Sequence, residues 1–172
     1  MKIENSGIIF ITLCSRCGVD QMGSSEDWAR SLGEEIEISK RVDREMAQTV
    51  AMNRAIEAEK MPLKWEEVLA AFQEHCIAYN EQIKPERKLG LHRTGSYEFA
   101  IKPDALPEII TGKYDPGTRW IEIRSSIGKE TFYPTVIHSG SGDVELMSYQ
   151  AKTVKSATLI AQDTLRRCLT ER

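Results

Sequence analysis

The chain has 172 residues, of which 41% are hydrophobic and 28% charged, with 11 Gly and 6 Pro; this excludes collagen-like, low-complexity and wholly disordered classes. That length suits one domain with a single core, and no apolar run approaches the ~20 residues of a membrane span. A net charge of −3 argues against a dedicated nucleic-acid binder, whose domain pI is more often above ~9.

Residues 1–14 superficially have the layout of an export signal. Glu4 in the n-region, the short apolar stretch 7–13 and Leu13 where cleavage needs a small residue all speak against it. The expectation is a buried strand over 7–13 in a cytoplasmic protein. Ser24 and Asp27 approximate a capping box, and Trp28, Leu32, Ile36, Val42, Met46, Val50 and Ile56 follow at helical spacing with charge between them. This stretch is long for a globular helix, so a break is expected at Gly33 or near Ile38-Ser39. Met61-Pro62 is expected to end it and start another helix, with Trp65, Val68, Leu69, Phe72, Cys76, Tyr79 and Ile83 on its core face and Pro85 at its end.

Period-two alternation follows. Tyr97, Phe99 and Ile101 predict a strand, 106–111 a short edge strand, Asp115-Pro116-Gly117 a tight turn, and 118–125 a strand with Trp120, Glu122 and Arg124 on one face and Ile121 and Ile123 on the other. Residues 130–138 and 144–149 complete about five strands, with Pro134 marking an edge or bulge. Short links favour an antiparallel meander. The last 22 residues return to helical spacing, with Val154, Ala157, Ile160, Ala161, Leu165, Cys168 and Leu169 inward. The predicted class is α+β: a meander sheet packed by helices over 61–172, preceded by a helical N-terminal extension within 1–60. No internal repeat is found.

Residues 1–60 hold 8 basic and 11 acidic side chains and 61–172 hold 15 of each, so the whole excess of negative charge lies in the N-terminal third. A charged helix is ordinarily a solvated face; the alternative is an arm that docks on a partner or a second copy.

Cys14-Ser15-Arg16-Cys17-Gly18 places two thiols where both can reach one tetrahedral zinc, and looks like one knuckle of a zinc ribbon. A ribbon needs a second pair, and Cys76 and Cys168 are isolated, so His92 or a second chain would have to complete the site. The same spacing resembles a thioredoxin-like redox motif, but the expected helix starts too far beyond Cys17 to lower a thiol pKa. Four cysteines without a secretory signal are read as free thiols. The expected loop 84–93 carries Arg87, Lys88, His92 and Arg93 as candidates for an anion or partner contact, without the interleaved aromatics that stack bases. No phosphate-binding glycine loop or dinucleotide fingerprint occurs, and no catalytic constellation or cofactor site is assigned.

The sequence therefore favours a non-enzymatic protein-binding module, of an inhibitor, immunity-type or regulatory kind, associating through the helical segment 24–60. The alternative is a small zinc-binding regulatory or nucleic-acid-associated protein using Cys14, Cys17 and the 84–93 basic loop.

Overall fold

The computed structural model describes residues 24–103, 107–137 and 142–170. Cys14, Cys17, the expected strand over 7–13 and His138 lie outside the described residues. The chain divides into two units, Met1–Arg44 and Glu45–Arg172.

Helix α1 runs Ser25–Gln82. Its start follows from the cap: the Asp27 amide donates to Ser24 Oγ at 3.3 Å, while the Ser24 hydroxyl donates to the Asp27 carboxylate at 3.0 Å. The expected break at Gly33 or Ile38-Ser39 does not occur, nor does Pro62 end the helix. A helical glycine costs only about 1 kcal/mol. An interior proline removes one hydrogen bond, to the Ala58 carbonyl here, at about 3 kcal/mol. Met61, Trp65, Val68, Leu69 and Phe72 are buried immediately beside it, and each is worth roughly 1.5–3 kcal/mol. Burial wins.

A 3-10 turn, Pro85–Arg87, leads into seven strands: β1 Leu89–Gly95, β2 Glu98–Pro103, β3 Ile110–Asp115, β4 Trp120–Ser125, β5 Gly128–Ile137, β6 Asp143–Ser148 and β7 Val154–Lys155. They pair antiparallel in sequence order, as short connections require. Helix α2, Ala157–Thr170, follows. The fold is α+β with a meander sheet, and the strand count corrects the expected five. The two additions are β1, expected as a basic loop, and the two-residue β7. The strand expected over 106–111 is replaced by β3, which is interior, paired with both β2 and β4. Pro134 is accommodated because β4 pairs only with Gly128–Phe132, leaving the proline hydrogen-bonded on the β6 side alone.

The β3–β4 turn is made by Asp115, whose carboxylate accepts from the Gly117 amide at 2.8 Å and the Thr118 hydroxyl at 2.9 Å. Those two bonds hold its carboxyl below the ordinary value. The inner sheet face, with Phe99, Ile101, Ile110, Tyr114, Ile121, Ile123, Phe132, Val144 and Leu146, joins one core with Trp65, Phe72 and Cys76 of α1 and Ile160, Ala161, Leu165 and Cys168 of α2. At its centre Trp65 and Phe72 lie 5.5 and 5.0 Å from the Phe99 ring. Asn80 pins the start of β1 to α1, accepting from the Leu89 amide at 2.7 Å and donating to its carbonyl at 2.9 Å.

Cys76 and Cys168 are free and buried, and burial pushes the Cys76 thiol from 9.0 up to about 11. Below pH 9 the thiol is neutral whether the chain is folded or not, and its packing contributes fully. As pH rises from 9 towards 11 the unfolded chain ionises first, so on the order of 2 kcal/mol of stability is lost across that window. Urea unfolding at pH 8 and pH 10.5 should show this loss, and the decline should be smaller in Cys76→Ala.

Candidate interaction surfaces

Three surfaces are built by these elements. The first is on α1. From Ser25 to Met52 every residue is exposed, although the apolar positions recur at helical steps. Trp28 is 67% exposed, Leu32 39%, Ile36 46% and Val42 45%, all within Ser25–Arg44. Further along the same helix Met46 and Val50 are 62% and 49% exposed. Within Ser25–Arg44, successive 100° steps put Trp28, Leu32, Ile36 and Val42 on one side of the helix, with Glu35 and Asp43 among them. Arg30, Glu34, Glu37, Lys40, Arg41 and Arg44 fall on the other faces, where Lys40 pairs with Glu37 at 2.8 Å. An amphipathic helix normally buries such a stripe.

The second surface is the basic stretch. Arg87 and Lys88 are exposed on the 3-10 turn and at its end. His92 and Arg93 are consecutive on β1 and so point to opposite sheet faces. Arg93 forms an ion pair with Glu66 of α1, and the His92 ring lies over Gly90, close to where a Cβ would stand. The four candidates are therefore not gathered on one face, and the guanidinium of Arg93 already has a carboxylate partner. Among the described residues no group of three or more His, Cys, Asp or Glu side chains is placed to hold a metal ion.

The third surface, which no sequence spacing marks as a site, is on the outer face of the sheet. Trp120 on β4 and Tyr149 just after β6 have ring centroids 6.2 Å apart, and Tyr133 on β5 lies 6.4 Å from Tyr149. Lys152 adopts φ 56° in the β6–β7 turn, and its ammonium sits 4.1 Å from the Tyr149 centroid and 5.8 Å from that of Tyr133. The Tyr133 hydroxyl donates to Met147 Sδ at 2.8 Å. The signal for it was Trp120 itself, a large aromatic alternating in register with Glu122 and Arg124. Beside this cluster Thr94, Glu98, Thr111, Lys113, Glu122 and Arg124 line a concavity of about 330 Å³. Glu108 also lines it, and its other charges pair within the sheet: Lys113 meets Glu98 at 2.8 Å, and Glu122 meets Arg124 and Lys129. Partial burial pushes the Glu122 carboxyl up, but hydrogen bonds from Lys129 and Arg124 outweigh it and leave the group below its ordinary value. Apart from Glu108, the concavity thus presents neutralised ion pairs.

No helix among the described residues is long and apolar enough to cross a membrane. Compared with known protein families, with curated proteins and with solved structures, the chain matches none of them.

Proposed function

We propose that the protein is a cytoplasmic, non-enzymatic binding module, of an inhibitor, immunity-type or regulatory kind, which grips a protein partner or a second copy of itself through the helical segment 24–60. The observation that carries this reading is the apolar side of α1 within Ser25–Arg44, with Trp28, Ile36 and Val42 each close to half exposed or more. Contiguous apolar surface of this kind marks interaction sites, and a 3.6-residue apolar period is the form in which a helix presents itself to a groove or to another helix. The charged residues on the remaining faces keep the helix hydrated and confine docking to one side.

The test uses the full chain carrying Leu32→Glu and Ile36→Glu. Both sites are exposed, so circular dichroism and the thermal midpoint should match the unaltered chain to within about 2 °C. The species that co-purifies from the source cell, including a second copy of the chain, should be lost. Retention of the same species in the same amount would overturn the reading.

A further inference from the structure

We propose that the outer face of the sheet binds a neutral oligosaccharide, which lays a sugar ring on Trp120 beside Tyr149 and sends hydroxyls into the neighbouring concavity. Every residue of this site belongs to the Glu45–Arg172 unit, and the site is independent of the binding role proposed for α1.

The water-facing side of an antiparallel sheet is ordinarily polar. Here Trp120 and Tyr149 are each 44% exposed, with centroids 6.2 Å apart and only 34° between their planes, so the two rings form one shallow platform. It is held in place before any ligand arrives. Tyr133 meets Tyr149 edge-on at 6.4 Å and donates its hydroxyl to Met147 Sδ at 2.8 Å, while the Lys152 ammonium packs on Tyr149 at 4.1 Å. Rings fixed in this way lose little freedom on binding. The C–H bonds on one face of a sugar ring rest well on such a platform, because an aromatic face is both apolar and electron-rich.

The concavity supplies the polar half. Glu122 stands two residues from Trp120 on the same strand face, pairs in register with Lys113, and Lys113 pairs with Glu98. Acceptor, donor and acceptor therefore alternate across β4, β3 and β2, beside Arg124 and the Thr111 hydroxyl. Its volume of about 330 Å³ lies within the ~300–1,000 Å³ of small-ligand sites. Charge selects the ligand. The lining holds three carboxylates (Glu98, Glu108, Glu122) against two cations (Lys113, Arg124), a surplus of one negative charge that repels phosphate or carboxylate ligands. A cationic ligand would have to compete with Lys113, Arg124 and Lys129 for carboxylates they already hold, and with Lys152 for the rings. A sugar hydroxyl does neither. It donates to a carboxylate and accepts from an ammonium or guanidinium, so it bridges an ion pair without separating it.

Isothermal titration of the full chain with cellopentaose, chitopentaose and maltopentaose should show saturable binding of at least one of these neutral probes. The affinity should change little with added salt, because no net charge is exchanged. Trp120→Ala should weaken it at least ~10-fold with circular dichroism unchanged, and Trp120→Phe, which keeps a flat ring, should restore most of the loss. Failure of all three probes to bind at millimolar concentration overturns the proposal, as does binding that Trp120→Ala leaves intact. Saturable binding of octauridylate alone, weakening steeply with salt, would mean that the rings stack nucleic-acid bases, and would overturn it too.

Discussion

Gly112→Ala should destabilise the protein by about 3 kcal/mol, read as a lower urea midpoint with unchanged slope. The usual effect of this exchange has the opposite sign: where the backbone accepts alanine, restricting the unfolded chain stabilises by ~0.4–1 kcal/mol. Here a Cβ would stand 2.2 Å from Phe99 Cε1 and 2.5 Å from its Cζ, because Phe99 pairs directly with Gly112 across β2 and β3 and lays its ring over it. The ring cannot retreat, being 1% exposed and held between Trp65 and Phe72. Shrinking the ring should relieve the clash. Gly112→Ala added to Phe99→Leu should therefore cost less than about 1 kcal/mol, a coupling expected only of touching residues. If Gly112→Ala alone is neutral or stabilising, the packing of Phe99 on the glycine is not what holds β2 to β3.

The second large effect is at Trp65. Its side chain is 1% exposed and faces both Phe99 and Tyr114, with centroids at 5.5 and 6.2 Å. Trp65→Ala should cost about 3–5 kcal/mol through lost burial and the cavity left behind. That is a large share of the ~5–15 kcal/mol that holds a domain together, and should lower the thermal midpoint by roughly 10 °C or more. Trp120→Ala is the matched control. That residue is 44% exposed on the outer sheet face, and its loss should move stability by no more than about 1 kcal/mol. Equal costs at the two tryptophans would mean that α1 is not the element that closes the sheet's inner face.

The difference between these tryptophans was half legible in the sequence. Trp65 fell on an apolar stripe and Trp120 alternated with Glu122 and Arg124, so their environments followed from periodicity. The α+β class, the Asp115-Pro116-Gly117 turn, the inward Ile121 and Ile123, and the face of α2 bearing Ile160, Ala161, Leu165 and Cys168 were legible for the same reason. What escaped depends on neighbours remote in sequence. Pro62 reads locally as a stop, yet core burial on both sides of it carries the helix through. Residues 84–93 read as a basic loop because Lys84, Arg87, Lys88 and Arg93 are cationic, whereas Asn80 and the β2 ladder draw the chain from Leu89 onward into a strand. Val154, an inward position in the expected helical spacing, is exposed on β7. In the candidate surfaces, the stripe of α1 was visible as spacing. The outer aromatic cluster needed the pairing of β5 with β6 and the left-handed Lys152 before its three rings could meet.

Among the described residues the antiparallel sheet ends at β1 and β7, and a sheet margin is a template onto which a foreign strand could be added. On one side β7 offers only Val154 and Lys155, too short a row of amides and carbonyls for register, and the Lys155 ammonium is held there by Glu130 and Asp163 at 3.2 and 3.3 Å. On the other side β1 carries exposed His92 and Arg93 and loses regular register between Arg93 and Gly95. Both margins have the traits by which natural sheets resist edge-to-edge growth. Among the described residues, the sheet margins are thereby guarded against edge-to-edge growth.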